Sequence, residues 1–209
     1  MKLLVSGSTR LVARAATRYG YNLGILTTPS NRNSVKTIVQ TGLPWAVDNG
    51  AFSGFDAERF RRLLRRVSGQ PRLLWVACPD VVGDAKRTLE LFGLWGPELV
   101  AAGVPVAFIG QDGQEDLSLP LWDEFCAFFV GGTTRWKLSQ AAADLARECK
   151  SRGKLLHMGR VNSRRRIQAA FDLGCDSVDG SSASMFGDKY IWKHCRWIKQ
   201  MQAQSGLFA

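Results

Sequence analysis

The sequence contains little that would anchor the protein in a membrane or cross-link it. No apolar run in its 209 residues is long enough to span a bilayer, and the first ten residues lack the long apolar core of a secretory signal. The five cysteines, Cys78, Cys126, Cys149, Cys175 and Cys195, are scattered and form no Cys-x-x-Cys pair. Neither a disulfide framework nor a thiolate zinc site is therefore indicated, and we expect a cytoplasmic protein without membrane association.

The chain also lacks linkers, internal repeats and low-complexity segments, which predicts a single domain over residues 1–209. Short apolar runs alternate instead with patterns of helical period. The runs predicted as strands are 2–8, 23–29, 45–52, 72–80, 104–113, 125–132, 154–159 and 175–182. Asp56, Asp84 and either Asn162 or Ser163 are expected to cap helices, because a short side-chain oxygen accepts from the free N–H groups of a first turn.

Eight strands that alternate with helices predict a compact (β/α)8 barrel of the TIM type. The length is near the lower limit for that fold, so insertions must be few and no zinc subdomain is expected. A doubly wound open sheet is the alternative that the pattern leaves open. In both folds the functional side chains lie where the parallel strands end, at their carboxyl edges.

The predicted strand ends carry an unusual share of polar side chains and glycines. They contribute Asp48, Asn49, Gly50, Phe52, Asp80, Gln111, Gly131, Gly132, Met158, Arg160 and Asp179. Phe52 and Met158 can sandwich a flat ring, although ordinary core packing is the simpler explanation for either residue alone. Asp80 can accept two N–H groups from one ring edge, while Gln111 and a glycine N–H donate to a neighbouring carbonyl, a pattern that suits guanine.

Two further carboxylates, Asp48 and Asp179, remain at the same predicted edge. A pair of carboxylates around a glycosidic carbon is a familiar arrangement, in which one attacks the carbon and the other moves protons. Because the predicted site would hold both a flat base and the sugar carbon attached to it, it indicates chemistry on a nucleoside. Asp179 could equally cap a loop at the end of its strand.

The net charge of +10, from 28 Lys and Arg against 18 Asp and Glu, favours a polyanionic partner, with nucleic acid as the first candidate. A basic but inert surface is the alternative. Basic residues in the first turns of helices should surround the barrel mouth, where they oppose the helix dipole unless phosphate compensates. The expected nucleic-acid contacts are Lys86, Arg87, Arg135, Lys137, Arg160, Arg164, Arg165, Arg166, Lys189 and Lys193. A solvated helix face explains Arg61, Arg62, Arg65 and Arg66.

In their order along the chain, these motifs resemble those of the tRNA-guanine transglycosylases and their DNA-acting relatives, the DpdA-type 7-deazaguanine transglycosylases. The segment 48–52, Asp-Asn-Gly-Ala-Phe, resembles the family's Asp-Ser-Gly-Gly-aromatic motif. Asp80 resembles the family's base-reading Asp, and Gln111 resembles the Gln of its Gln-Gly motif. Gly131 and Gly132 resemble its Gly-Gly pair, and residues 158–161 resemble its Met-Gly-Val-Gly motif. Asp179 resembles the nucleophilic Asp of its Phe-Asp-Cys-Val motif. The resemblance covers about residues 46–182.

The resemblance implies a pentosyltransferase that exchanges guanine in DNA for a 7-substituted 7-deazaguanine. Asp179 would form a covalent glycosyl intermediate and Asp48 would act as general acid and base. The base-binding residues would be Asp80, Gln111, Gly131, Gly132, Phe52, Met158 and Asn49. The partners would be double-stranded DNA with the target base flipped out and a free 7-deazaguanine base, with no cofactor and no metal.

The sequence departs from the tRNA enzymes in two places. The Pro-Thr-Arg after the nucleophile is missing, and so is the zinc insertion of three cysteines and one histidine; His157 and His194 are therefore interpreted as structural. These departures favour the compact phage-encoded members, which act in the host cytoplasm. A tRNA-guanine transglycosylase, a hydrolytic N-glycosylase and a non-catalytic barrel that binds nucleic acid remain as alternatives. A fourth, a barrel enzyme that acts on a small phosphorylated molecule, has no matching Gly-rich phosphate loop in this sequence.

Overall fold

The computed structural model describes residues 1–31 and 33–205, which form a ring of alternating strands and helices. The strands are β1 (Lys2–Val5), β2 (Leu23–Thr27), β3 (Trp45–Val47), β4 (Leu73–Ala77), β5 (Val106–Gly110), β6 (Ala127–Val130), β7 (Leu155–Met158) and β8 (Ser177–Asp179). The helices are α1 (Thr9–Tyr19), α2 (Val35–Gln40), α3 (Ala57–Val67), α4 (Ala85–Ala101), α5 (Thr134–Lys137), α6 (Gln140–Ser151), α7 (Arg164–Asp172), α8 (Ser181–Phe186) and α9 (Asp188–Ser205). Short 3-10 turns cover Ala51–Ser53 and Gln114–Asp116.

The strands pair in chain order and close into a barrel. Every pairing is parallel, and β8 completes the ring by pairing with β1, where Leu3 lies opposite Val178 and Leu4 opposite Asp179. This closure confirms the predicted (β/α)8 barrel of the TIM type and excludes the open sheet. Each predicted strand contains an observed one, and every observed strand is shorter because the predicted ranges included residues of the adjoining loops.

Two separate hydrophobic layers follow from the alternation of side chains along each strand. The layer inside the barrel includes Trp75 and Phe129 together with small residues such as Ala46, Ala77 and Ala107. The second layer lies between the strands and the helices and is much larger. Because large and small side chains alternate around the inside, they fill the barrel below its mouth, and a cavity opens at the strand ends.

Side-chain caps begin several helices where the sequence predicted them. Asp56 accepts from the N–H of Arg59 at 3.0 Å, and Asp84 accepts from the N–H of Arg87 at 3.0 Å. Ser163, rather than Asn162, caps α7. Asn162 instead joins the loop before α7 to the start of α8, because its Oδ1 accepts from the N–H and hydroxyl of Ser182.

Three helical details differ from the sequence prediction. The single helix expected after β6 is divided into α5 and α6, because Ser139 caps a new helix by accepting from the N–H of Ala142 at 3.2 Å. The short helices α2 and α8 were not predicted. Val35 and Ile38 of α2 are buried at helical spacing, but a stripe of two residues is too short to separate from a loop. None of the described helices combines the length and the apolar character that crossing a bilayer requires.

Candidate active site

A cavity of about 440 Å³ opens at the carboxyl ends of the barrel strands. Most of the predicted strand-end residues line it, which confirms that the barrel brings them together. From the prediction these are Asp48, Asn49, Gly50, Phe52, Asp80, Gln111, Gly131, Gly132, Arg160 and Asp179. The basic residues Lys137 and Arg166 line the same space. The cavity therefore has a wall rich in carboxylates and another rich in cations.

Asp80 is held by two amides rather than left open to a ligand. The Nδ2 of Asn49 donates to its Oδ1 at 2.8 Å, and the Nε2 of Gln111 donates to its Oδ2 at 2.5 Å. Asn49 is itself fixed, since Nδ2 also donates to the carbonyl of Cys78 and Oδ1 accepts from the N–H of Ala51. Burial raises the pKa of Asp80, while the bonds from Asn49 and Gln111 oppose that rise. Asn49 thus positions Asp80 on the cavity wall.

Gln111 ties three strand ends together. Besides its bond to Asp80, its Oε1 accepts from the N–H of Gly83 at 2.9 Å and from the N–H of Gly132 at 2.7 Å. A β-carbon on Gly131 would lie 2.7 Å from the Gln111 amide nitrogen, so only glycine fits beside this side chain. The donors that were expected to read a ligand carbonyl, Gln111 and Gly132, are therefore used inside the protein.

Asp48 faces the cavity from the end of β3. One carboxylate oxygen accepts from the N–H of Gly50 at 2.6 Å. Burial is the largest influence on this carboxyl group, and with the nearby charges of Asp179 and Asp80 it raises the pKa of Asp48 to about 7, against the opposing effects of Gly50 and Arg160. A carboxyl group that exchanges its proton near neutral pH can serve as a general acid and as a general base.

Asp179 is oriented by His157, a contact that the sequence did not reveal. The Nε2 of His157 lies 3.1 Å from Oδ1 of Asp179, and its Nδ1 lies 2.8 Å from the hydroxyl of Ser177. The imidazole is fully buried inside the barrel, between the rings of Phe129 and Trp75. His157 was interpreted as structural; it is placed to fix the orientation of a cavity carboxylate.

Met158 does not reach the cavity, so its predicted role in sandwiching a flat ring is wrong. It is fully buried in the layer between strands and helices. Successive residues of a strand point to opposite faces, and in β7 it is His157 that points into the barrel. His157 lies in register with Phe129, which belongs to the inner layer. Phe52 does line the cavity, with 73% of its surface exposed.

Lys137 is buried, which contradicts its predicted role as a contact for a nucleic-acid backbone. It lies at the end of α5 with 1% of its surface exposed, and its Nζ donates to the carbonyl of Gly159 at 2.7 Å. Burial lowers the pKa of this amine to about 7; the charges of Arg160 and Arg166 act in the same direction, and Asp179 opposes them. A lysine that is partly neutral at physiological pH is a potential nucleophile.

Arg160 lies over the cavity mouth in a conformation uncommon for a residue with a side chain. Its φ of 57° is left-handed, and its guanidinium group donates to the carbonyl of Gly132 and stacks on the ring of Phe52, 5.0 Å from the centroid. The guanidinium of Arg166 donates in turn to the carbonyl of Arg160 at 2.6 Å. Several contacts therefore hold this strained backbone in place.

The other expected nucleic-acid contacts lie outside the cavity on the surface. These exposed residues are Lys86, Arg87, Arg135, Arg164, Arg165, Lys189 and Lys193. Arg61 lies on an exposed helix face, as predicted, and there it pairs with Glu98 through two hydrogen bonds and stacks on Trp95. Nothing in the structure tests a nucleic-acid partner, which stays a prediction.

Comparison with known proteins supports the fold but identifies no family for this chain. No family model and no curated protein matches the sequence. Among solved structures, one described as "Native KDPGal structure" aligns with a TM-score of 0.59 over 99% of this chain and 96% of its own length, at 9% identity. At that identity the likeness is one of fold, and it agrees with the TIM-type barrel. The resemblance to the transglycosylase family stays a prediction.

The predicted function as a DNA-guanine transglycosylase is wrong. The solved structure that shares this fold, described as "Native KDPGal structure", gives no support to a transglycosylase. The site differs from the expected base pocket as well, because Gln111 and Gly132 donate hydrogen bonds to other groups of the protein and Met158 lies in the outer core. The cavity also contains the buried amine of Lys137 beside the carboxylates, a burial that the sequence pattern did not indicate.

Proposed function

We propose that the protein is an aldolase-type enzyme in which Lys137 forms a Schiff base with the carbonyl carbon of a small substrate held in the barrel cavity. The observation that carries this proposal is the position of Lys137. Its side chain lines the strand-end cavity together with Asp48 and Asp179, yet it is almost completely buried. A primary amine with little access to water and with carboxyl groups nearby has the setting that imine chemistry requires.

The protonation of the two key groups supports the same chemistry. An amine attacks a carbonyl only when it is neutral, and the pKa of Lys137 is lowered to about 7. Asp48, with its pKa raised to about 7, can donate a proton and take it back at the same pH. The barrel fold, which is shared with the structure described as "Native KDPGal structure", is compatible with this reaction.

The steps follow from these roles. The neutral Nζ of Lys137 attacks the carbonyl carbon, and the resulting hydroxyl group leaves as water with a proton from Asp48, which forms the protonated Schiff base. The Asp48 carboxylate then takes the proton of the substrate's β-hydroxyl group, the adjacent carbon–carbon bond breaks, and its electrons move to the imine nitrogen. The aldehyde fragment departs, Asp48 returns the proton to the enamine carbon, and water releases the second fragment.

Asp179 has a different place in this scheme. Its carboxylate is fixed by His157 and by the N–H of Arg160, which donates to Oδ1 at 3.3 Å. It counteracts the effect of the cations on the amine of Lys137, since its negative charge favours the ammonium form. We expect Asp179 to stabilise the positive charge of the protonated Schiff base, which occupies the position of that ammonium.

Reduction of the intermediate tests the proposal directly. The protein is incubated at pH 8 with pyruvate, dihydroxyacetone or dihydroxyacetone phosphate, treated with sodium borohydride, digested and mapped by mass spectrometry. We expect a reduced adduct on the peptide that contains Lys137. Lys137→Met should abolish the adduct, while Lys86→Met, which changes an exposed lysine of α4, should not. Absence of any adduct on Lys137 in the unmodified protein would refute the proposed function.

A further inference from the structure

Cations cluster on one wall of the cavity without a carboxylate to pair with them. Lys137, Arg160 and Arg166 all line the cavity. Of the ion pairs closer than 4.0 Å that the described residues form, none includes any of these three side chains. The three groups lie close enough to interact, since the charges of Arg160 and Arg166 both lower the pKa of Lys137 and so favour its neutral form.

These cations are held by neutral carbonyl groups. Arg160 donates to the carbonyl of Gly132, Arg166 to that of Arg160, and Lys137 to that of Gly159. Carbonyl oxygens orient a guanidinium group but leave its charge uncompensated, whereas a carboxylate would neutralise it. The guanidinium groups of Arg160 and Arg166 are therefore held in position while their positive charge has no ion-pair partner among the residues that the structure describes.

The carboxylates that act on Lys137 from this wall are Asp112 and Asp179, and both already have partners. Asp112 accepts from the N–H and from the hydroxyl of Thr133. Asp179 is held as well. Its Oδ1 accepts from the N–H of Arg160 and lies against His157. Asp48 and Asp80 lie at the ends of β3 and β4, and Asp80 is held by Asn49 and Gln111. In the described part of the chain, neither Asp112 nor Asp179 forms an ion pair with the guanidinium group of Arg160 or Arg166, so these two groups have capacity for an anion supplied by a ligand.

We propose that Arg160 and Arg166 bind an anionic oxyacid group of the substrate, a carboxylate or a phosphate, and so orient its carbonyl group toward Lys137. This inference rests on the proposed function. A guanidinium group presents paired N–H donors in a plane that matches either oxyacid. The substrate class is then an oxo acid or a phosphorylated ketone rather than a neutral sugar.

Arg160 also explains why the backbone is strained at this point. The left-handed φ of 57° lets the main chain turn sharply after β7, so that the Arg160 N–H reaches Asp179 while its side chain crosses to Gly132 and Phe52. This conformation brings the Arg160 main-chain donor to Asp179 and its guanidinium group to Gly132 and Phe52. Strained residues of this kind are concentrated where a ligand is clamped.

Binding and trapping experiments distinguish this subsite from the proposed chemistry. Binding of pyruvate and of inorganic phosphate is measured by isothermal titration calorimetry and by ligand-detected NMR, which need no reaction. Borohydride trapping is measured in parallel with pyruvate, dihydroxyacetone phosphate and neutral dihydroxyacetone. The variants are Arg166→Met, Arg166→Lys and, as the matched control on the same helix, Arg165→Met, whose side chain is exposed outside the cavity.

We expect the anionic probes to bind and to be trapped more readily than dihydroxyacetone. Arg166→Met should weaken binding of the preferred anion about tenfold or more, because a lost charge-assisted contact exceeds the 1.4 kcal/mol that corresponds to tenfold. Arg166→Lys should restore part of the loss, and Arg165→Met should have little effect. The relative affinity for pyruvate and phosphate identifies the carboxylate or the phosphate as the natural anionic group.

Three results would overturn the subsite. One is equal binding of an anion by the unmodified protein and Arg166→Met, and another is an equal loss in the Arg165→Met control, which would indicate only general surface charge. Failure of both anions to bind the unmodified protein is the third. If anions bind through Arg166 while no probe is trapped on Lys137, the subsite stands and the Schiff-base function fails.

Discussion

Lys137→Met should change how the stability of the protein depends on pH. Methionine fills a similar volume without a charge, so the variant removes the buried amine and leaves the packing around α5 nearly unchanged. In the folded protein the pKa of this amine is lowered from 10.5 to about 7, chiefly by burial. Between these two values the unfolded chain binds a proton at Lys137 that the folded protein does not bind. The free energy of unfolding therefore contains a contribution that rises with pH.

The size of this effect follows from the shift. Proton linkage gives a slope of up to about 1.4 kcal/mol per pH unit for one group, between about pH 7 and the pKa of the unfolded amine. Below pH 7 both states carry the proton, and the cost of the buried ammonium group is constant. The unmodified protein should consequently gain stability relative to Lys137→Met as the pH is raised from 7 to 9, a range in which most proteins remain soluble.

Urea denaturation followed by tryptophan fluorescence at closely spaced pH values measures this difference. Lys86→Met is the control, since its exposed side chain should give a parallel curve. The rate of borohydride trapping should rise through the same pH range, because at pH 8 about 90% of an amine with a pKa of 7 is neutral, against about 0.3% at a pKa of 10.5. A difference between the unmodified protein and Lys137→Met that does not vary between pH 7 and pH 9 would refute this account of the amine.

Asp80→Ala should cost about 2–4 kcal/mol in urea denaturation, because it removes the carboxylate that accepts from the buried amides of both Asn49 and Gln111; a cost below 1 kcal/mol would contradict the network. Gly132→Ala should destabilise clearly more than Gly153→Ala. Both glycines have a positive φ, but a β-carbon at Gly132 would lie 2.6 Å from Oδ2 of Asp112, whereas nothing lies within 4 Å at Gly153; equal melting temperatures would exclude the clash. Burial raises the pKa of Asp48 to about 7, so between pH 4 and pH 7 the unfolded chain has released a proton that the folded protein still holds, and this group lowers the free energy of unfolding as the pH rises. Asp48→Asn should remove that contribution; an unchanged pH profile would show that Asp48 titrates normally.

The location of the site could be predicted because it depends on local patterns. The apolar runs and the caps at Asp56 and Asp84 fix strands and helices that alternate, and parallel strands bring their carboxyl ends to one face. Asp48, Asp80 and Asp179 therefore had to meet there, and all three line the cavity. Their roles could not be predicted from position alone, because a carboxylate at a strand end can bind a ligand or hold its neighbours.

The direction of side chains at the end of β7 shows where local patterns fail. Met158 and His157 are adjacent, and in a strand one of them must face inward and the other outward. Only the register of the closed barrel, in which His157 pairs with Phe129, decides that the imidazole reaches Asp179 and that Met158 joins the outer core.

The sequence by itself determined the alternation of strands and helices, the caps at Asp56 and Asp84 and the edge at which the polar strand ends meet, because periodicity and capping act over a few residues. The pairing of β8 with β1 decided that the sheet closes into a barrel. The tertiary structure alone decided which donors are free and which charges are buried. The side chain of Gln111 forms hydrogen bonds with Gly83, Gly132 and Asp80, which are 28, 21 and 31 residues away along the chain. The burial of Lys137 beside Arg160 likewise depends on the packing of α5 against the end of β7, and burial is what turns a surface charge into a potential nucleophile.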